Sequence, residues 1–445
     1  MSSFFDSKLW NNLVLPMSHS ERAVTHAVVA LSALHEDIEA RGVPLARVEL
    51  TNQRQRFALE QYTRALSLLN TRRHSNDPKL RDVVLTCCLL FVVFELVRGL
   101  YDEAFVHLQQ GLSLLSSLKA ADTKSQSLSV SDSSKYIETS LSDALMHLHI
   151  QSSFFGADFS DPRFIRPKSE DTADFRDITE AREELDILLQ PVSRFMTAVR
   201  LLASEGGPSN SNVTRLDVAH MQADLRIELA RYLHRLNKFE TRVRGSLDNK
   251  SQRAVDLIRL HHKTFAVVLE TYIDIEDMTY DFHIDGFKEI VKMSEQIAKS
   301  FDEQCDPNNN NSHSRPTLLL DMGIIPPLLY VCLTCPCVDT RRQALRCLKA
   351  WPHREGPWDS NLIALMGRLT LQVEIEEEFK RLSTTTATKI ASLRDITYIP
   401  PPSRIFNVHM TITDDQMTGI FMYNTKERGP GMPHLERRVA IDEAI

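Results

Sequence analysis

Glycine is in short supply: 14 of 445 residues, about half its usual frequency of roughly 7%. Phosphate-cradling glycine loops and tight hairpins are therefore expected to be few, and long helices, whose interiors glycine weakens, are favoured. The signatures built on glycine are missing. There is no Gly-x-Gly-x-x-Gly fingerprint, no P-loop and no Gly-x-Ser-x-Gly elbow. Long apolar runs are missing too; the longest nearly apolar stretch, Val83 to Phe94, ends at Glu95 and is too short to span a bilayer. No long Lys/Arg run exists, and a net charge of −7 repels phosphate backbones at long range. Direct nucleic-acid binding and a membrane location are thus not expected. No cysteine precedes Cys87, and the N-terminus does not read as a secretory signal. The seven cysteines are odd in number and sit mostly in apolar stretches, which points to a reducing, intracellular setting.

What is present is helical periodicity. Val24, Val28, Leu31, Leu34 and Ile38 recur at three- and four-residue spacing between a possible Ser18/Glu21 capping box and Gly42. A second helix is predicted from about Val48 to Asn70, with Phe57, Tyr62, Ala65, Leu66 and Leu69 on its apolar face. A third, opened by Asp77-Pro78 and closed by Gly99, is apolar nearly all round and so buried on several sides. A fourth carries Phe105, Leu108, Leu112 and Leu115. Further helices are predicted over about 136–155, 179–202, 216–242, 253–272, 286–301, within 325–350, and over 361–382. The polar stretches 119–134, 156–177, 206–212 and 308–314 read as breaks, the last as the best candidate for disorder. Val408, Met410 and Ile412 alternate with polar residues ahead of a turn-like Asp414-Asp415-Gln416 and a strand-prone 420–423. The last dozen residues read as polar and frayed. The expected fold is all-α: a large array of antiparallel helix pairs over 1–390, and a C-terminal extension, 391–445, with a small β-hairpin.

Several constellations invite a chemical reading, and each has a plainer one. Cys332, Cys335, Cys337 and Cys347 suggest thiolate zinc ligands, yet they lie at an apolar helix end and read better as buried structural cysteines. Asp277, Asp281 and Asp285 would share a face on one helix and could hold magnesium, but a solvated helix end is preferred. His147/His149 and the neighbours His261/His262 would diverge on a helix, so no metal site or other cofactor is expected. His353-Arg-Glu-Gly-Pro-Trp-Asp-Ser360 reads as an exposed loop in which Arg354 and Trp358 contact a partner or ligand. The preferred alternative is that Asp359 or Ser360 caps the next helix while Trp358 anchors the turn.

Three stretches together carry a resemblance. They are Trp10-Asn-Asn-Leu-Val-Leu-Pro16 with Ser20-Glu21 and Val28 to Glu36; Tyr62 to Leu69 with Gly99, Ala104, His107-Leu108 and Gly111-Leu112; and Ile325-Pro-Pro-Leu-Leu-Tyr330 with Arg341 to Leu345 and His353 to Ser360. In order and spacing they resemble the regulatory middle region of fungal zinc-cluster transcription factors. The resemblance implies an all-helical fold and work in transcriptional regulation, often of secondary-metabolism or catabolic gene clusters, with nuclear residence (the cytoplasm being the alternative). Family members carry an N-terminal cluster of six cysteines that binds two zinc ions and reads DNA. The present sequence begins almost directly on the helical region, so DNA reading carries over to no residue here. The expectation is a regulator that acts through a protein partner, such as a full-length zinc-cluster factor or a second copy, or through a small-molecule effector. The alternative is the same scaffold recruited as a biosynthetic enzyme or small-molecule-binding protein, with His261, His262 and Asp281 as the residues to inspect.

Overall fold

The computed structural model describes residues 9–43, 52–75, 77, 79–122, 132–155, 174–203, 214–272, 279–302, 315–384, 392–413, 418–426 and 434–441. Thirteen α-helices lie among them, and the chain divides into two compact units. The readings at 123–131, 156–173, 206–212 and 308–314 fall outside the described residues, as do the turn at 414–416 and the predicted start of the second helix at Val48.

The first unit holds α1 (Leu15–Ser20), α2 (Arg22–Arg41), α3 (Gln53–Thr71), α4 (Leu80–Arg98), α5 (Tyr101–Asp122) and α6 (Asp132–Phe155). A short parallel pairing joins β1 (Leu318–Leu319) to β2 (Arg354–Glu355) in the same unit. Helix α4 is its axis. Thirteen of its 19 residues are buried, as its all-round apolarity predicts. Val83, Cys87, Leu90, Phe91, Phe94 and Val97 pack into one cluster with α2 and α3. Leu85, Leu89, Val92 and Leu96 pack into a second with α5 and α6. The helix ends at Gly99, whose φ of 74° is left-handed and costs glycine nothing. Its N–H reaches the Leu96 carbonyl at 3.1 Å, and the Leu100 N–H reaches Glu95 O at 2.9 Å, closing the last turn.

Two expectations for this unit need correction. The Ser18/Glu21 capping box does not form: Ser18 lies inside α1 with its hydroxyl on Leu15 O (2.7 Å), and Glu21 is the bare junction to α2. The chain is already helical from a π-helical turn, Trp10–Val14, that runs into α1, so Ser18 falls inside a helix and not at its start. On α3, Tyr62 and Ala65 are buried, but Phe57 and Leu66 are 44% and 37% exposed. The buried stripe runs instead through Gln55, Ala58, Gln61, Tyr62 and Ala65. Polar residues occupy inward positions because they have partners there, Gln55 on Asp37 (2.6 Å) and Gln61 on His26 (2.7 Å).

The second unit holds α7 (Ile178–Ala203), α8 (Arg215–Val243), α9 (Asn249–Thr271), α10 (Ile284–Asp302), α11 (Ile325–Thr334), α12 (Val338–Ala350), β3 (Trp358–Asp359) and α13 (Ser360–Thr384). Helix α8 opens with a full capping box. Asp217 N–H donates to Thr214 Oγ1 (3.1 Å), and Thr214 N–H to Asp217 Oδ2 (2.8 Å). The chain then forms an antiparallel sheet, β4 (Ile405–Ile412), β5 (Thr418–Thr425) and β6 (Leu435–Ala440), in that order. The hairpin follows the predicted alternation, with Met410 opposite Phe421 and Ile412 opposite Gly419. A bulge between Phe406 and His409 places Asn407 at φ 50°, a conformation asparagine tolerates. The frayed tail is a correction, because β6 is a third strand. Its inward polar residue, Arg437, pairs with Glu376 on α13 at 2.7 Å, so polarity there marks an ion pair, not solvent.

No helix among the described residues is long and apolar enough to cross a membrane. The fully buried Leu90 and the half-exposed Phe57 separate the two kinds of apolar position. In urea titrations followed by circular dichroism, Leu90→Ala should lose about 2–5 kcal/mol and Phe57→Ala stay within about 0.5 kcal/mol of the parent.

Candidate functional site

The segment 353–360 is not an exposed loop. His353, Arg354, Glu355, Trp358, Asp359 and Ser360 are all buried. Within the first unit, the Arg354 guanidinium donates to the carbonyls of Leu96 (3.1 Å) and Val97. These are among the last carbonyls of α4 and sit at the negative end of the helix dipole; Leu96 O also accepts the Gly99 N–H of the closing turn. The Arg354 N–H donates to Thr317 O at 2.9 Å and the Gly356 N–H to Leu319 O at 3.0 Å. Gly356, at φ 53°, passes so close to Gln151 that a Cβ would stand 2.0 Å from Oε1. Within the second unit, Asp359 Oδ1 accepts the N–H groups of Asn361 (2.9 Å) and Leu362 (3.1 Å) and caps α13. Ser360 Oγ accepts the His353 N–H at 2.9 Å, and the His353 ring stacks on Trp351 with centroids 3.8 Å apart. Capping is the observed role, and solvent exposure is corrected. The loop turned inward because its charged head found helix-end carbonyls.

The neighbours His261 and His262 diverge on α9, as read. His261 Nε2 donates to Gly323 O and His262 Nε2 to Leu229 O, each at 2.8 Å. Carbonyl acceptors require the Nε2–H form in both rings. Burial holds the His262 pKa below its usual value, so the ring is neutral, and it stacks near Tyr232. Asp281 does not share a helical face with Asp285. It sits in a 3-10 turn, 279–283, before α10 begins at Ile284, so the rotation per residue changes between the two. Asp281 accepts from Arg404 (2.7 Å) and the Tyr398 hydroxyl (2.8 Å), while the exposed Asp285 pairs with Lys288 (2.9 Å). Asp277 lies outside the described residues. His261, His262, Asp281 and Trp358 thus each have their own surroundings in the second unit, and no common site joins them.

Sequence reasoning missed the strongest electrostatic feature. Arg341 on α12 and Glu374 on α13 form an ion pair with neither side chain exposed. Arg341 also donates through Nε to Cys335 O, and Glu374 Oε1 accepts the Ile405 N–H at 3.0 Å. One turn along α13, Glu378 takes the Ser403 hydroxyl (2.7 Å) and Arg381 (2.8 Å). Arg404 donates to Ile399 O (3.1 Å) and to Asp281. The network therefore ties α12, α13, the 3-10 turn at Asp281 and the chain entering β4. Burial pushes the Glu374 pKa up, and Arg341, the Ile405 amide and Arg404 oppose that shift. A signal was legible: Arg341 falls among Val338, Ala344 and Leu348 on the apolar stripe of α12, where a charge needs a partner.

Cys332 and Cys335 lie in the same region. Burial raises their thiols to about 12 and about 11, so they are protonated at neutral pH and are not standing thiolate nucleophiles. No group of three or more His, Cys, Asp or Glu residues able to hold a metal exists among the described residues. Chemically, the arrangement is a brace: Arg341, Glu374, Glu378 and Arg404 each find partners within the unit.

Residues 1–272 match the model of the fungal specific transcription factor domain. The chain belongs to that family. It is also similar to the transcription regulator lscL of Purpureocillium lilacinum, 30% identical over 112 residues, which is 25% of this chain. The match covers 27% of that relative's length. No solved structure matches. The family domain takes in α1 to α9, so it includes the α4 axis but stops short of the Arg341–Glu374 brace.

Arg341 Nη2 has no hydrogen-bond partner among the described residues, so the buried pair is incompletely compensated. Removing one partner, Arg341→Met, should lower stability by about 3–5 kcal/mol, since it strands the other charge. The double change Arg341→Met/Glu374→Leu should recover most of that loss in urea unfolding. Equal losses in the single and double variants would contradict this account.

Proposed function

We propose that the chain is a transcription regulator that works through the surfaces of its helices and is brought to DNA by a protein partner carrying a six-cysteine zinc cluster. Membership of the fungal specific transcription factor domain family over residues 1–272 carries this reading. The similarity to a transcription regulator supports it. A net charge of −7 gives the chain no long-range attraction to phosphate backbones, which favours recruitment through a partner over direct contact with DNA. The residues with the most suggestive chemistry, Arg354, His261, His262 and Asp281, are engaged with carbonyls and side chains of their own unit. That disposition suits a scaffold better than a catalyst, which keeps a nucleophile and its base poised for an outside substrate.

On this reading the regulator resides in the nucleus, and its targets are genes of a secondary-metabolite cluster. Chromatin immunoprecipitation of the tagged full chain in its native cells tests it. The chain should occupy a restricted set of promoters and co-purify with one six-cysteine factor. Its occupancy should collapse when that factor is deleted. Occupancy that survives the deletion, or turnover of pathway intermediates by the purified chain without promoter occupancy, would overturn the reading.

A further inference from the structure

We propose that the outer face of the C-terminal sheet is a binding site for a late first-row divalent metal ion, built from His409, His434 and the amide oxygen of Asn424. Strand register brings these residues to one face. His409 on β4 stands opposite Met422 on β5, and Met422 opposite Glu436 on β6. Cross-strand partners share a face, and so do residues two apart on a strand. Asn424 is two beyond Met422 and His434 two before Glu436, so both join His409. The other face carries Arg437, which pairs with Glu376 on α13. The outer face is therefore the one turned away from that helix.

The two imidazole rings have centroids 5.8 Å apart and planes at 87°. Two imidazoles bound to one ion through nitrogens at about 2.0–2.1 Å place their centroids about 5–6 Å apart, so the rings already stand at the spacing of a shared ligand pair. Both histidines are exposed and open to an incoming ion. Asn424 supplies an independent observation. It is only 6% exposed, and its Oδ1 has no hydrogen-bond partner among the described residues. A buried acceptor left without a partner is destabilising, and a bound cation would relieve it.

The donor set decides the class of ion. Two imidazoles and one neutral oxygen do not suit calcium or magnesium, which take oxygen ligands and favour carboxylates. They suit copper(II), nickel(II) and zinc(II), with copper(II) the tightest and water filling the remaining positions. Because β5 lies between β4 and β6, an ion on His409 and His434 would cross-link the two outer strands.

Copper(II) titration of the full chain, read by calorimetry and by electron paramagnetic resonance, tests the site. One tight equivalent should bind, with hyperfine structure from two imidazole nitrogens. His409→Gln and His434→Gln should each weaken it by about tenfold or more, and Asn424→Leu should weaken it less. His220→Gln, at an exposed histidine on α8, should leave it unchanged. The nitrogen count comes from the parent protein alone, so a variant that fails to fold does not blunt the test. Binding that persists in both histidine variants, or a parent spectrum without two nitrogen ligands, would overturn the proposal.

Discussion

Two full charges, the guanidinium of Arg341 and the carboxylate of Glu374, lie where neither meets solvent, and the second unit is organised around keeping them matched. Removing either ion from water costs several kcal/mol, which their attraction offsets only if the remaining lone pairs and protons are also satisfied. Hence the Cys335 carbonyl faces Nε and the Ile405 amide faces Oε1. Those requirements fix where α12 meets α13 and where the chain leaves Ile399 for β4. An apolar pair would glue the same surfaces but would accept neighbouring registers. A charge pair with backbone partners accepts one, and that gives the brace its use even if its net stabilisation is small.

The first unit is organised by a different constraint, apolar volume. Helix α4 presents one stripe to α2 and α3 and another to α5 and α6, so most of it is turned away from water. Several of the unit's buried polar groups are paired. The Tyr62 hydroxyl shares a hydrogen bond with His107 Nε2 at 3.0 Å, while its ring stacks on Phe94 at 4.7 Å. At the far end, Arg354 meets the last carbonyls of α4, at the negative end of its dipole. The same logic operates in both units: buried polarity is tolerated where it specifies a junction.

How much of this was legible depended on the kind of signal. Helix periodicity and the Gly99 and Gly42 stops survive because they are local and hard to override. The Ser18/Glu21 box failed because the chain is already helical from Trp10, which puts Ser18 inside a helix. Strand β6 was misread because Arg437 counts as polar in a pattern while acting as an inward ion-pair partner in three dimensions. The buried face of α3 was misread for the same reason at Gln55 and Gln61. Sites fared worse than elements. Arg354 was singled out for its charge, but its partners are far away in sequence, and charge alone cannot tell a ligand contact from a helix-end cap. The pair Arg341–Glu374 spans 33 positions and leaves only one trace in a single sequence, a charge on an apolar stripe.

The brace would hold the second unit in one arrangement. Hydrogen–deuterium exchange of the full chain, compared between the parent and Glu374→Gln, measures this most directly. The account predicts that amides from Ile399 to Ile412 exchange at least about tenfold faster in the variant, while those of α2 to α4 keep their parent rates. Unchanged exchange from Ile399 to Ile412 would contradict it.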